Sequence, residues 1–373
     1  MVKLLIAGGG TGGHLFPGVA VAEEFLSRDP TSEVLFVGSG RPVESEVLQG
    51  RGLASRTITS AGLKGRGLWG RLRSLASLPV GLVQSLRLIL EFRPDFVIGV
   101  GGYVSGPVGV AAWLLRVPLV IQEQNSIPGL TNRWLGRLAD MIFIAFEAAR
   151  KYFPEHKTRL TGNPIRREIA ALAGRNDYPR DRPFTLLVAG GSQGSHAINL
   201  AAVEAVRLLK TRLSSLEVIH QTGENDFETV KSAYETMGLE AEVRPFFQDM
   251  ARLYLAAGLV VCRAGALTVA EVAAMGRPAI FIPLPTAADN HQEVNARGLA
   301  EAGAAEIILQ SELTPERLAD LIAGLARDEE RRAAMSLAAT GAARPRAVQH
   351  IYDLCQALLP YSVRENVGAK SVQ

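Results

Sequence analysis

The sequence predicts an α/β protein with two Rossmann-like domains whose parallel sheets face each other across a cleft. Short β-branched and apolar runs alternate with helical stretches, and this alternation occurs twice along the chain. Each series opens with a strand, a glycine loop and a helix, in "LLIAGGGTGGH" and again in "LLVAGGSQGSH". Such alternation is typical of parallel sheets covered by helices on both faces, and the repeated opening indicates two such domains in tandem.

The positions of the apolar runs predict the individual elements. Strands are predicted at residues 3–7, 34–37, 96–100, 119–122 and 141–145 of the first series, and at 185–189, 217–221, 242–245, 259–262 and 279–282 of the second. Helices are predicted at 16–26, 108–115, 197–209 and 267–274. We expect a first domain at 1–162 and a second at 163–343, joined by a proline-containing linker (162–183), with a helix at 344–359 that packs back on the first domain.

Charge is unevenly distributed in this 373-residue chain, whose formal net charge is +3. Residues 1–160 hold 18 Lys and Arg against 12 Asp and Glu, and no acid occurs between Glu46 and Glu91. This excess predicts an anionic partner for the first half. Residues 96–115 carry no charge, but glycines and a proline interrupt them, so a strand, a loop and a buried helix are favoured over a membrane span. Two cysteines at no metal spacing favour a cytosolic, disulfide-free protein.

The first glycine loop fits G-x-G-x-x-G through Gly8, Gly10 and Gly13, a spacing that lets backbone N–H groups approach a phosphate at a helix start. A dinucleotide site also needs an acid at the end of the second strand. The segment "VLFVGSGRP" has none there, which disfavours NAD, although Arg41 leaves an NADP site possible.

Three later segments carry similar signals. The loops "GVGGYVSGP" (99–107) and "GGSQGSHAIN" (190–199) each join a strand to a helix. In residues 260–283, Thr268 falls in the first turn of a predicted helix and Glu271 one turn after Leu267, where they can bind a phosphate and the hydroxyls of a ribose. The alternative is that Glu271 is only an acid favoured by the helix dipole. The polar loop 283–296 offers amide groups to a sugar.

Six motifs together resemble the MurG family of bacterial glycosyltransferases: "GGGTGGHLFP", "GGYVSGP", "QEQNSIPGLTN", "GNPIR", "GGSQGSHAIN" and "CRAGALTVAE". They stand in the family's order over most of the chain. Enzymes of this family move N-acetylglucosamine from UDP-N-acetylglucosamine onto the undecaprenyl-pyrophosphoryl N-acetylmuramoyl-pentapeptide of peptidoglycan synthesis. The resemblance implies the GT-B architecture, with the donor bound mainly by the second domain.

The resemblance also implies roles for individual residues. The donor contacts it implies are Thr11, Gly12, Gly13 and Asn125 at the sugar and phosphates, Arg166 and Ser192 at the diphosphate, the backbone of Phe247 at uracil, Ala266, Leu267, Thr268, Val269, Ala270 and Glu271 at the phosphate and ribose, and Gln292 at the sugar hydroxyls. We expect the acceptor diphosphate at Gly10, Gly102, Tyr103 and Ser105. His291 stands where the family often has a second glutamine or another polar residue, and it receives no role.

The reaction implied is a single displacement with inversion at the anomeric carbon, which needs a base for the acceptor hydroxyl. His14 is the leading base candidate because it follows the first glycine loop and histidine titrates near neutral pH. Its alternative role is a hydrogen bond to the loop or to a phosphate, and Glu123 and Asn125 are secondary acceptor-side candidates. No Asp-x-Asp occurs, so we predict no obligatory metal and no cofactor, with helix N-termini stabilising the UDP leaving group.

A basic and apolar segment predicts how the enzyme reaches a lipid-linked acceptor. Its members are Lys64, Arg66, Leu68, Trp69, Arg71, Leu72, Arg73 and Leu75. Their pattern fits an interfacial surface on anionic lipid, and its alternative is an ordinary helix with solvated arginines. We therefore expect a peripheral protein on the cytoplasmic face of the bacterial plasma (inner) membrane, with no nucleic-acid partner and with protein partners of cell-wall synthesis left open.

Four rival functions remain open at this point. A UDP-N-acetylglucosamine 2-epimerase would keep the fold but needs no lipid-facing segment, and a glycolipid transferase would use another acceptor. If the protein were a nucleotide-sugar sensor without catalytic activity, His14 would have no function. If it were an NADP oxidoreductase, the loop "GALTVAE" of the second domain would have no ligand.

Overall fold

The computed structural model describes residues 1–9, 12–60, 68–175 and 184–359, except for the side chains of residues 43, 68–77 and 288. The chain divides into two compact units. Unit 1 comprises Met1–Arg166 together with the chain from Pro345 onward, and unit 2 comprises Arg167–Arg344.

Unit 1 is a parallel sheet with helices on both faces. Its strands are β1 (Lys3–Gly8), β2 (Glu33–Gly38), β3 (Ala54–Thr57), β4 (Phe96–Gly101), β5 (Leu119–Glu123), β6 (Met141–Ile144) and β7 (Thr158–Leu160). Its helices are α1 (Gly12–Arg28), α2 (Pro42–Gly50), α3 (Leu68–Phe92), α4 (Ser105–Leu114), α5 (Leu130–Leu135) and, from the C-terminal part of the chain, α14 (Ala347–Gln356). The described strands lie in the order β3-β2-β1-β4-β5-β6-β7, so the chain reverses its direction of travel across the sheet between β1 and β4.

Both faces of the central strands are buried, as expected when helices cover a parallel sheet on each side. Leu4 and Ile6 of β1 point to a core shared with α1 and α14, where the rings of Phe25 and Tyr352 lie 4.7 Å apart. Leu5 and Ala7 of the same strand point to the opposite core, which α4 and the end of α3 complete. This two-sided burial explains the unbroken apolar runs of the sequence.

Unit 2 repeats the architecture. Its strands are β8 (Phe184–Ala189), β9 (Leu216–Gln221), β10 (Ala241–Arg244), β11 (Leu259–Cys262), β12 (Ala279–Phe281) and β13 (Ala305–Ile307). Its helices are α6 (Arg167–Ala170), α7 (His196–Leu209), α8 (Phe227–Thr236), α9 (Met250–Ala256), α10 (Ala266–Ala274), α11 (His291–Glu301), α12 (Pro315–Arg327) and α13 (Glu329–Ala342). The strand order β10-β9-β8-β11-β12-β13 reverses between β8 and β11. Ligands of open α/β sheets bind at the carboxyl ends of strands at such a reversal.

The predicted fold class and the ten predicted strands are confirmed, with ends that differ by one residue or less. The uncharged stretch 96–115 forms β4, a glycine loop and α4, as expected. Helix α1 begins at Gly12 and not at residue 16, so His14 lies in its first turn. Glycines are tolerated there because the first N–H groups of a helix have no intrahelical partner. No helix in the described ranges has the length and hydropathy of a membrane-spanning segment.

Candidate active site

Two glycine loops meet at the reversal point of unit 1. Strands β1 and β4 pair in parallel, with Gly8 opposite Gly101 after a register shift. Gly102 has a φ of +80°, and a β-carbon on it would lie 2.8 Å from the carbonyl oxygen of Gly9. Only glycine fits this contact, because the backbones of the two loops touch. The predicted contacts Gly10 and Thr11 lie outside the described residues.

His14 lies beside the second of these loops. The side chain is half-buried, and a β-carbon on Gly101 would be 2.7 Å from its Cδ2 and 3.0 Å from its Nε2. The same point lies 3.5 Å from Nδ2 of Asn132. His14 and Asn132 therefore flank Gly101 at the carboxyl edge of the sheet. Asn132 was not singled out from the sequence, although it ends the motif "QEQNSIPGLTN".

Glu123 organises the loop that carries Asn125. Its carboxylate is 1% exposed and accepts hydrogen bonds from the backbone N–H of Asn125 (2.8 Å), the backbone N–H of Gly129 (3.3 Å) and Nδ2 of Asn132 (2.9 Å). Burial raises the pKa of Glu123, while these donors oppose the rise. A buried carboxylate surrounded by donors of its own loop fixes that loop, and it connects Asn125 to Asn132 beside His14.

The predicted acceptor residues of the second glycine loop differ in exposure. Tyr103 is 48% exposed, whereas Ser105 is fully buried at the start of α4. The Ser105 hydroxyl lies 2.7 Å from the carbonyl oxygen of Ala7 and accepts the N–H of Gly101 at 3.1 Å. Ser105 thus ties the loop to β1, and Gly102 and Tyr103 are the members of the set that reach the surface.

Glu44 of α2 reaches the end of β2, the place where a dinucleotide site needs an acid. Its carboxylate accepts the N–H groups of Ser39 (2.8 Å) and Gly40 (3.0 Å) and the Ser39 hydroxyl (2.7 Å), and it is 5% exposed. An acid, Glu44, therefore lies near the end of β2, but its carboxylate already accepts hydrogen bonds from the backbone of the loop. The sequence test for NAD missed Glu44 because the residue belongs to the next helix.

Arg166, the last residue of unit 1, lies over the ring of Phe16 in α1, with Cζ 5.1 Å from the ring centroid. The geometry is that of a cation–π contact. It places the arginine beside the helix that begins with the first glycine loop, and so gives that helix start a neighbouring positive charge.

In unit 2 the N-termini of α7 and α10 follow the adjacent strands β8 and β11. Among the described helices of eight or more residues in this unit, only these two have neither an acid in the first turn nor a capping side chain. Such helix starts favour anions because their N–H groups and dipole carry partial positive charge. Ser192 lies exposed in the loop before α7, and Thr268 lies half-buried in the first turn of α10.

The amide of Gln221 joins two parts of this edge. Its Nε2 donates to the carbonyl oxygen of Gly191 at 3.0 Å, and its Oε1 accepts the N–H of Phe247 at 3.0 Å. Phe247, predicted to meet uracil through its backbone, is 4% exposed, whereas its neighbour Phe246 is 46% exposed. Neither Gln221 nor Phe246 was predicted as a site residue from the sequence.

The remaining predicted donor residues lie on α10 and at the start of α11. Glu271 is 1% exposed, and Ala266, Leu267 and Val269 are also buried, whereas Ala270 is half-buried. The Oε1 atom of Gln292 accepts the N–H of Leu284 at 3.0 Å, which fixes the polar loop before α11. His291 is half-buried beside Gln292.

A buried hydrogen-bonded chain supports the loop next to Gln221. His220 is fully buried, with Nδ1 2.9 Å from the Tyr234 hydroxyl and Nε2 3.1 Å from Oδ1 of Asn199. The Asn199 amide in turn donates to the carbonyl oxygen of Thr222 (2.8 Å) and to Asp226 (2.7 Å). Burial lowers the pKa of His220 to about 3, so the ring is neutral.

The side chains of the predicted membrane segment lie outside the described part of the chain. Lys64 and Arg66 lie outside the described residues, and Leu68, Trp69, Arg71, Leu72, Arg73 and Leu75 fall in the part of α3 whose side chains are not described. In the described ranges, no three His, Cys, Asp or Glu side chains cluster as metal ligands would.

Two parallel-sheet α/β domains, each with glycine loops at its reversal point, are the architecture of the GT-B fold. The model of the glycosyltransferase family 28 N-terminal domain matches residues 4–144, and that of the family's C-terminal domain matches residues 185–351. The chain belongs to glycosyltransferase family 28. Together with the relatives described next, this match confirms the MurG family that the six motifs predicted.

Relatives over nearly the full length are named UDP-N-acetylglucosamine--N-acetylmuramyl-(pentapeptide) pyrophosphoryl-undecaprenol N-acetylglucosamine transferase. That of Geobacter sulfurreducens is 52% identical and covers 94% of this chain and 97% of its own. That of Myxococcus xanthus is 47% identical and covers 96% and 94%. The crystal structure of Acinetobacter baumannii MurG is 34% identical, covers 96% of this chain and 100% of its own, and has a TM-score of 0.76.

Proposed function

We propose that this chain transfers N-acetylglucosamine from UDP-N-acetylglucosamine to the 4-hydroxyl of the N-acetylmuramoyl-pentapeptide carried by undecaprenyl diphosphate. Lipid I is thereby converted to lipid II in peptidoglycan synthesis. The observation that carries the proposal is the 52% identity, over 94% of the chain, to a relative named for this activity. The glycine loops at both reversal points support it, because a sugar nucleotide and a lipid diphosphate each need an anion site.

Unit 2 holds the donor in this proposal. The two uncapped helix starts of α7 and α10 receive the diphosphate, with Ser192 and Thr268 as hydroxyl donors. Glu271 accepts the ribose hydroxyls. The N–H of Phe247 already donates a hydrogen bond to Oε1 of Gln221. The backbone group of Phe247 that accepts a hydrogen bond from uracil is therefore its carbonyl oxygen. Gln292 presents its amide to the sugar.

Unit 1 holds the acceptor. The lipid diphosphate binds at the surface of the touching glycine loops, where Gly102 and Tyr103 lie. Asn125, fixed by Glu123, contacts the transferred sugar, and His14 lies beside these loops. This arrangement brings a residue that can accept a proton to the edge where the acceptor arrives.

The proposed chemistry is one displacement with inversion. The imidazole of His14 takes the proton of the acceptor 4-hydroxyl as its oxygen attacks the anomeric carbon. The bond from that carbon to the UDP oxygen breaks, and UDP leaves with the electron pair. Helix N-termini and Arg166 stabilise the charge that develops on the leaving diphosphate, so no metal ion is required.

An apolar surface on unit 1 supports a membrane-facing role. Among the described side chains of α3, α4 and α5, the large apolar ones that are exposed, here called the apolar surface, are Leu78, Val80, Val83, Leu90, Trp113, Leu114, Leu130 and Trp134. Helix α4 packs against both α3 and α5, so the three helices are neighbours. Arg137 lies 4.8 Å from the centre of the Trp134 ring, and Arg87 is also exposed. Aromatic and basic side chains together are typical of a surface on anionic lipid.

The proposed function is tested by product formation from a lipid-linked N-acetylmuramoyl-pentapeptide acceptor, with UDP-N-acetylglucosamine or UDP-glucose as donor. We expect a β-1,4-linked disaccharide from the first donor only, at an unchanged rate in excess EDTA. Loss of activity in EDTA would refute the metal-free mechanism alone. Donor incubated without acceptor should stay unchanged, whereas formation of its 2-epimer would support the epimerase function instead.

A further inference from the structure

Arg263 is a buried arginine at the reversal point of unit 2, one residue beyond the end of β11. Its side chain is 9% exposed. The guanidinium donates to four acceptors, which are Oγ of Ser195 (2.6 Å), Oε1 of Gln310 (2.6 Å) and the carbonyl oxygens of Ile282 and Pro283 (both 3.1 Å). None of these acceptors carries a charge.

A buried cation held only by neutral acceptors is unusual, because burying a charge is costly unless an opposite charge compensates it. Burial lowers the pKa of Arg263, which is consistent with that cost. Another buried arginine of unit 2, Arg332, donates to the carbonyl oxygen of Ala326 at the end of α12, where the helix dipole is negative. Arg263 instead lies next to two helix starts, where the dipoles are positive.

Ser195 links Arg263 to the first of these helix starts. It occupies the N-cap position of α7, where a serine hydroxyl ordinarily accepts an N–H of the first turn. Here the hydroxyl makes no capping hydrogen bond and accepts Nη2 of Arg263. The second helix start, that of α10, comes three residues after Arg263 and has Gly265 as its N-cap, which has no side chain to cap it. The charge of Arg263 therefore lies next to both uncapped helix starts, those of α7 and α10.

We propose that Arg263 is the internal counter-charge for the diphosphate of the donor, and that its bond to Ser195 keeps the start of α7 open for that diphosphate. The inference rests on the proposed function, since it takes unit 2 to bind a uridine diphosphate. Arg263 acts as a positioning and specificity-determining residue, because its four acceptors already hold it inside the protein. It adds selectivity for a dianion over an uncharged nucleoside.

The test compares the affinity for UDP with that for uridine, measured by calorimetry for UDP and by NMR titration for uridine. In Arg263→Gln we expect UDP to bind about tenfold to a hundredfold more weakly, as for the loss of a charged interaction, and uridine to bind within about threefold of wild type. Arg263→Lys should recover part of the UDP affinity. The matched control is Arg332→Gln, which removes a buried arginine of the same unit and should leave the UDP-to-uridine ratio unchanged.

A second variant, Ser195→Asp, covers the possibility that Arg263→Gln does not fold. The new carboxylate would give Arg263 an internal partner and α7 an N-cap, so thermal stability should be kept or raised. Affinity for UDP should nevertheless fall at least about tenfold while that for uridine changes little. Equal losses for UDP and uridine, or unchanged UDP affinity in Ser195→Asp, would overturn the inference and leave the proposed function standing. A wild-type chain that does not bind UDP would overturn both.

Discussion

The imidazole of His14 lies against the α-carbon of Gly101, so closely that a β-carbon there would be 2.7 Å from Cδ2 of the ring. This contact joins the helix that follows the first glycine loop to the second glycine loop. It fixes where the proposed base lies, because the ring has the backbone of β4 on one side.

Gly101→Ala tests this contact. Gly101 has a φ of +98°, and the added methyl group would overlap the His14 ring, so the ring must move. A displacement of about 1 Å can lower turnover about 10²-fold, and we expect a loss of that order in kcat with little change in the KM for the donor. Initial rates of transfer at saturating donor measure it.

The matched control is Gly52→Ala. Gly52 also has a positive φ, +66°, but a β-carbon there has no atom within 4 Å. Its φ lies in the left-handed helical region, so an alanine there costs about 1–2 kcal/mol of backbone strain without touching the site, and its kcat should equal that of wild type. Equal activity of the two variants would show that the His14 contact has no catalytic importance.

Glu123→Gln tests whether Glu123 positions the loop of Asn125. The carboxylate of Glu123 accepts hydrogen bonds from several N–H groups, including Nδ2 of Asn132. In the glutamine variant, the side-chain NH2 group would face one or more of these donors and could not accept their hydrogen bonds. An unsatisfied buried donor costs about 1–3 kcal/mol, so we expect kcat/KM to fall about tenfold to a hundredfold. Steady-state kinetics at several donor concentrations provide the measurement.

Asp140→Asn is the control for Glu123. The Asp140 carboxylate accepts the N–H of Leu119 at 2.8 Å, at the opposite end of the same strand, β5. Its loss should reduce stability without reducing kcat/KM. If Glu123→Gln were fully active, Glu123 would have no part in positioning the site.

His220 predicts a pH dependence of stability. Its pKa in the folded chain is about 3, against 6.5 for an ordinary histidine, so the unfolded chain binds a proton that the folded chain does not. The stability contributed by neutral His220 is therefore complete above pH 6.5 and is lost as the pH falls towards 3, by about 1.4 kcal/mol per pH unit.

The variant His220→Gln can still bond Tyr234 and Asn199 but does not titrate. We expect its free energy of unfolding to fall less steeply between about pH 6 and about pH 4 than that of wild type, measured by urea denaturation. The same slope in both proteins would mean that His220 takes up its proton in the folded state.

The apolar surface predicts binding to anionic membranes. Replacing both Trp113 and Trp134 by serine should reduce flotation with anionic vesicles by about tenfold, because buried aromatic area drives interfacial binding. Wild type should float poorly with neutral vesicles. Leu337→Ser is the control, since Leu337 is as exposed as Trp134 (62%) but belongs to unit 2. Equal flotation of wild type and the double variant would show that the apolar surface does not bind membranes.

The sequence predicted what depends on local pattern. The central strands are buried on both faces and therefore read as apolar runs, and the glycine loops mark their carboxyl ends. Strands β3, β7 and β13 were missed because they are short and lie at sheet edges, where "ASRT", "TRL" and "AEI" show no apolar run. These three segments are strands because they pair with a neighbouring strand of the sheet, and their own residues give no strand pattern.

Contacts between distant segments could not be predicted. The pairing of Arg263 with Ser195 joins residues 68 apart in the chain, so the motif "CRAGALTVAE" alone gives its arginine no role. Likewise Glu123 was a secondary acceptor-side candidate, and only its burial and its donors identify it as a residue that fixes a loop. Motif spacing predicted the candidate sites, and the three-dimensional contacts show which of the predicted residues are buried supports of a loop.

The role of His14 as the base is tested most directly by the His14→Ala variant. The measurement is its rate of transfer of radiolabelled N-acetylglucosamine from UDP-N-acetylglucosamine to the lipid-linked acceptor. If His14 is the base, turnover falls about 10²- to 10⁴-fold while UDP still binds with the affinity of wild type. Turnover within about tenfold of wild type would contradict that role.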